Sequence, residues 1–250
     1  MMGYPLPIIS TKAAIIAQLQ KDILPLQGFK RTLNLTTLDV FPDVIKNAFP
    51  NAEFTLGAVH EFISKGPEDA TSTDGFVSGI LASIVKNGGV CIWISYLKTI
   101  FPPAFKSFGI APDKIIFIDL KKEKEILWAM EEALKCEGLS AVVGEMQELS
   151  FMASRRLQLA VEQSRVTGFI LRSNPRSLNT TACVTRWKIT PLPSELLDDM
   201  PGVGFPRWNV ELLKVRNGKP GSWQIEFAAG RFRHVSKITA IPLEQQKKAG

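Results

Sequence analysis

The run Gly66-Pro67-Glu68-Asp69-Ala70-Thr71-Ser72-Thr73 follows an apolar segment and precedes a helical one. That is where a phosphate-binding loop sits in a nucleotide-binding α/β protein. Such a loop needs G-x-x-x-x-G-K-[ST]. Its glycines let backbone N–H groups close around the phosphates, its lysine neutralises them, and its hydroxyl holds magnesium. Gly66 and Thr73 meet the first and last requirements, but Thr71 stands for the second glycine and Ser72 for the lysine. Glu68, Asp69 and Asp74 bring negative charge to the place where a triphosphate would lie. Two like charges 4 Å apart cost about 1 kcal/mol in water and about 4 at an effective dielectric of 20. The window thus lacks the attraction and carries carboxylates able to repel. A plain strand-to-helix turn is the commoner source of Gly-Pro-Glu.

Other chemistry is sparse. His60 and His234 have no carboxylate or cysteine at ligand spacing, and no Ser/His/Asp or Cys/His set can be assembled. Cys91, Cys136 and Cys183 are odd in number and far apart, which suggests neither a disulfide framework nor a zinc site and fits a reducing compartment. Lys12 interrupts the first apolar run, and no stretch reaches the length of a membrane span. A cytoplasmic protein without cofactor or metal is expected.

The cations are unevenly placed. Residues 1–150 hold 14 Lys+Arg against 17 Asp+Glu, about −3; residues 151–250 hold 16 against 7, about +9. An acidic partner for the second half, nucleic acid or protein, is one reading; a solvated surface is the other. Arg172, Arg176, Arg186 and Lys188 fall at a strand end, in a short loop or on the next strand, where open α/β sheets bind ligands. Arg155 and Arg156 sit mid-helix beside apolar positions, so at most one of them can face the core side. Trp93, Trp128 and Met130 lie within apolar periods and are expected in the core. Trp187, Trp208 and Trp223 are expected to pack together.

The elements that must position these residues follow from periodicity. A helix is predicted over 10–24, with Ile15, Ile16, Leu19 and Ile23 on one stripe that must be buried on something. Residues 29–53 read as a linker wrapped on the core. Strands are predicted at Leu56–Ile63, Val90–Ser95, Ile115–Asp119, Leu139–Gly144 and Gly168–Arg172. Helices are predicted between them at Asp74–Lys86, Pro102–Phe108, Glu123–Cys136 and from the Ser150 cap to about Arg165. Such alternation marks a doubly wound, mainly parallel sheet. After residue 180 the pattern changes to strands at Ala182–Ile189, Trp208–Arg216 and Trp223–Phe227, an antiparallel extension. Three segments are expected: 1–53 packed on the core, an α/β domain over 54–241, and a loose tail over 242–250.

Several segments carry a resemblance. Val59–Asp74 resembles the strand and phosphate loop of bacterial RecA, Cys91–Gly109 its next strand and helix, and Leu139–Glu145 the strand that ends in an acidic magnesium-side residue, here Glu145. Nearly the whole chain resembles the ImuA family, RecA-like accessory proteins of bacterial mutagenic translesion synthesis. The carrying segments are Gly57–Phe62, Leu127–Leu134, Ala141–Glu145, Ala153–Ala160, Thr185-Arg186-Trp187 and Pro206-Arg207-Trp208. The stretch Ala141–Leu171 also looks like SulA, a division inhibitor of the SOS response.

The resemblance implies a RecA-like fold and a role in damage-induced mutagenesis. The partners it implies are an inactive Y-family polymerase homologue of the ImuB kind and an error-prone polymerase, with DNA as a further candidate. Where RecA has the glutamate that activates water, this chain has Leu97, which cannot accept a proton. With Ser72 and Leu97 at those positions, a non-catalytic scaffold is expected. The loops at Met146–Leu149 and Ser173–Thr181 are too short for a recombinase filament. A SulA-like inhibitor binding FtsZ and a divergent ATPase are the alternatives.

Overall fold

The structure, a computed structural model, describes residues 40–86, 88–96, 100–194 and 204–235. The predicted helix over 10–24 with Ile15, Ile16, Leu19 and Ile23, the residue Leu97 and the tail from 242 lie outside the described residues. The elements are α1 (Asp43–Lys46), β1 (Val59–Ser64), α2 (Pro67–Val85), β2 (Val90–Ser95), β3 (Ile115–Asp119), α3 (Glu123–Leu134), β4 (Leu139–Met146), α4 (Phe151–Ser164), β5 (Thr167–Ser173), β6 (Thr185–Leu192), β7 (Arg207–Val215), β8 (Gly221–Ala228) and β9 (Arg231–His234). A 3₁₀ turn at Pro102–Phe108 ends at Gly109, whose φ of 87° suits glycine.

The nine strands form one sheet in the order β3-β2-β4-β5-β1-β6-β7-β8-β9. β3 to β6 along that order are parallel, and β7, β8 and β9 add on antiparallel. This is the expected α/β plan, a mainly parallel sheet with an antiparallel C-terminal extension. The fourth C-terminal strand, β9, was not visible in the pattern. Its four residues carry two arginines and a histidine, and only Phe232 faces inward.

Alternation along each strand builds two cores. On one face Val59, Ile94, Val142 and Ile170 meet Ile126, Met130 and Leu134 of α3 and Leu157, Ala160 and Val161 of α4. On the other face Phe62, Phe76, Trp187 and Phe232 form an aromatic cluster under α2. Phe41 joins that cluster through Phe76, Trp187 and Phe232, so Val40, Phe41, Ile45, Ala48 and Phe49 belong to the core itself. Close approach explains one glycine of α2. A Cβ at Gly79 would stand 2.6 Å from the Phe232 ring, so β9 could not pack there.

Two expectations about tryptophans fail. Trp128 is 67% exposed, because α3 turns the stripe Ile126, Met130, Leu134 toward the sheet and residue 128 lies on its far side. Trp187 and Trp208 both meet Phe76, but Trp223 lies over Gly221. Trp93 and Met130 are fully buried as expected.

Candidate functional site at the carboxyl ends of the parallel strands

Helix α2 starts seven residues earlier than its periodicity suggested. Strand β1 ends at Ser64, Lys65 and Gly66 make the whole connection, and the helix begins at Pro67. Proline at the first helical position needs no N–H partner, and Glu68 and Asp69 in the first turn suit the helix dipole. The window Gly66–Thr73 is therefore two helical turns and not a loop. The Ala70 N–H donates back to Gly66 O at 3.0 Å, as in any helix. The Lys65 N–H donates to Asp69 Oδ2 at 3.2 Å, so a carboxylate of the chain lies at this helix terminus. Thr71 Oγ1 donates to Pro67 O, and Thr73 Oγ1 donates to Asp69 O at 2.8 Å and lies 3.0 Å from Ser64 Oγ. Ser72 is buried. The hydroxyls of Thr71 and Thr73 are thus bonded within the helix and to β1.

Glu145 lies inside β4, which runs on to Met146, and is 6% exposed. Both its oxygens accept bonds: Trp93 Nε1 donates at 2.6 Å and Ser95 Oγ at 3.0 Å. Burial pushes its pKa up, against the pull of those two donors. Asp74 of α2 is pushed up to about 8, first by burial and then by the charge of Glu145. Asp74 is therefore largely a neutral acid at pH 7. Of the three carboxylates expected to repel here Glu68 and Asp69 remain, and Glu145 adds its charge beside Asp74, which corrects the expectation. Among the described residues, no group of three or more His, Cys, Asp or Glu is arranged to hold a metal.

The opposite face of the same strand ends holds an ion network. Glu61 of β1 is fully buried, and Arg172 of β5 is fully buried beside it, Nη1 to Oε1 at 2.8 Å. Arg186 of β6 takes the other oxygen at 2.8 Å, and Thr181 Oγ1 donates to it as well. Arg172 also donates to Gln147 O, Ser177 O, Asn179 Oδ1 and Glu148 Oε2, at 3.2–3.3 Å. It thereby ties the 147–150 and 174–181 loops to the sheet.

Four of the residues expected on a binding surface are thus otherwise engaged. Arg172 faces no solvent, because the parallel pairing of β1 with β5 aims it at Glu61. Arg186 is paired with Glu61, Lys188 with Glu211 at 2.9 Å, and Arg156 with Glu131. Arg176 is exposed, its backbone N–H bonded to Glu148. Arg155 is exposed with no ion-pair or hydrogen-bond partner among the described residues. His60 is buried and structural: Nε2 donates to Thr55 O, which leaves Nδ1 to accept from Thr185 Oγ1. Burial lowers its pKa to about 4 and keeps it neutral. The partner-bearing role of Glu61 was missed, since a lone glutamate in an apolar strand signals burial only when its counter-ions are known.

Fold and site together define a doubly wound α/β domain whose strand-to-helix turn carries a helix in place of a phosphate loop. No family model matches the chain. It is 32% identical over 209 residues to Protein ImuA of Caulobacter vibrioides, covering 78% of this chain and 86% of that protein, in each of two strains, NA1000 / CB15N and ATCC 19089 / CIP 103742 / CB 15. The chain belongs to the ImuA family. It is also 30% identical over 95 residues to the cell division inhibitor SulA of Photorhabdus laumondii, 38% of this chain and 54% of that protein. Among the described residues no helix is long and apolar enough to cross a membrane.

Proposed function

We propose that this chain is a non-catalytic, cytoplasmic accessory protein of damage-induced, error-prone DNA synthesis. It holds an ImuB-like Y-family polymerase homologue and an error-prone polymerase in one complex, with DNA as an additional ligand. Membership of the ImuA family is the observation that carries the pathway. The absence of catalysis is supported by the geometry of residues 66–73. A P-loop turns its N–H groups inward around phosphate, whereas here the same residues form helix, with Ser72 in place of lysine and a native carboxylate at the terminus. Arg155, Arg156 and Arg176 are the exposed candidates for contact with DNA or protein, Arg156 being also paired with Glu131. Arg172, Arg186 and Lys188 support the fold instead.

The match to SulA favours one second reading, a regulator that binds the division protein FtsZ. A tagged copy of the full chain recovered from DNA-damaged cells separates the two. Stoichiometric recovery of the Y-family homologue supports the accessory role. Recovery of FtsZ without the homologue overturns it in favour of the second reading.

A further inference from the structure

Two neighbouring helices expose more apolar surface than their packing on the sheet requires. Trp128 of α3 and Met152 of α4 are each 67% exposed, Leu159 is 50% and Phe151 is 46%. The two helices are bridged by the ion pair of Arg156 with Glu131, one turn along α3 from Trp128 and one turn along α4 from Met152. On α4, Met152, Arg156 and Leu159 follow one another at i, i+4 and i+7, with Phe151 and Arg155 on the adjacent row. The stripe is two turns long. The four apolar side chains expose together about 400–500 Å², at the upper end of what a monomer ordinarily shows. That is also the apolar centre of an interface burying about 800 Å² per partner. Trp, Met, Phe and Arg are the residue types enriched at interface centres.

From this surface we infer a docking site for an amphipathic helix of another protein, apolar along one face and acidic at its flank. The inference rests on the accessory role proposed above and says where the protein partner sits. Charge decides the occupant. Arg155 has no counter-ion among the described residues and stands on the row beside the apolar stripe, so a carboxylate at the flank of the incoming helix completes the pair. A second copy presenting the same face would bring a second unpaired Arg155 into the interface and add positive charge to it, which repulsion disfavours. DNA supplies the negative charge but would lay phosphate over Trp128, Met152 and Leu159 and desolvate it without return. The shape agrees, since two packed helices leave a groove that a third helix fills with side chains at i, i+3, i+4 and i+7.

The test uses the full chain and the purified Y-family homologue as the probe. Met152→Glu and Leu159→Glu place charge on exposed positions, so their melting curves should match that of the unaltered chain. Each should weaken binding by roughly 30-fold or more, as loss of a central contact does. Arg155→Glu should weaken it about tenfold and remove most of its salt dependence. If the unaltered chain binds and these variants bind equally well, the docking face is overturned while the accessory role stands. If the unaltered chain does not bind the homologue, the accessory role fails and this inference with it. If sedimentation shows a dimer that Met152→Glu converts to a monomer, a second copy covers the face and the inference is overturned.

Discussion

Replacing Arg172 by methionine should destabilise the protein by about 3 kcal/mol, toward the lower end of the 3–5 kcal/mol that breaking a buried ion pair costs. Glu61 keeps Arg186 and Thr181 on Oε2, so its charge is not left wholly uncompensated. Its Oε1, however, loses the Arg172 donor at 2.8 Å in a fully buried setting. Gln147 O, Ser177 O and Asn179 Oδ1 lose donors too. The Glu148 contact adds little, because that carboxylate is 45% exposed and screened by solvent. For a domain of this size about 3 kcal/mol lowers the melting temperature by roughly 6–12 °C. Arg172→Lys keeps the charge and loses the fork, so it should fall between the two. Hydrogen exchange should quicken at least about tenfold over residues 174–181, which Arg172 tethers. Thermal or urea unfolding with site-resolved exchange reads both effects. A methionine variant within about 1 kcal/mol of the parent, with unchanged exchange, would refute the network as a support of the two loops. A combined change at Arg172, Arg176 and Arg186 therefore reads folding before it reads any DNA contact.

Two further outcomes follow from the α2 corner. The Asp74 carboxyl ionises near 3.8 when unfolded and near 8 when folded, so the folded state binds the extra proton between those values and stability falls as pH rises through that range. Asp74→Asn should flatten the fall by about 2–3 kcal/mol, which is 1.36 kcal/mol per pH unit reduced for the part of the group that solvent reaches. Parallel stability–pH curves for variant and parent would rule out Asp74 as the cause. Calorimetry with ATP and magnesium should give no isotherm in the micromolar range, and magnesium-dependent turnover should stay at background. A clear isotherm that Gly66→Trp abolishes, with an unchanged melting curve, would show that nucleotide binds here after all; a Cβ at Gly66 meets nothing within 4 Å, so the position is open to substitution.

The order of elements was legible along the chain because burial on one or two faces writes itself as period. Val90–Ser95 and Ile115–Asp119 stand where the apolar runs put them, and Ser150 caps α4 by accepting from the Ala153 N–H. The start of α2 was misplaced although its signals were present. Pro67 followed by Glu68 and Asp69 marks a first helical turn, while the glycine beside it fits a phosphate loop equally well by sequence. The loss of the lysine at Ser72 is a property of sequence alone. That the surrounding residues close into helix, with their hydroxyls bonded to Asp69 O, Pro67 O and Ser64, belongs to the tertiary structure.

The fate of the arginines was decided by tertiary structure as well. Composition showed an excess of about nine positive charges in residues 151–250, but not which of them meet a carboxylate. Arg172 finds Glu61 across 111 positions of chain, and Arg186 finds it across 125. Only the parallel pairing of β5 and β6 on either side of β1 brings the three together. A cation read without its partner looks like surface, because a lone guanidinium is too costly to bury. Trp128 shows the converse. An aromatic residue in an apolar period looks like core, yet a helix has one face against the sheet, and the turn from Ile126 to Met130 leaves Trp128 outside it. Period reports that a face is buried; which long-range partner lies against each side chain is settled only when the strands find their register.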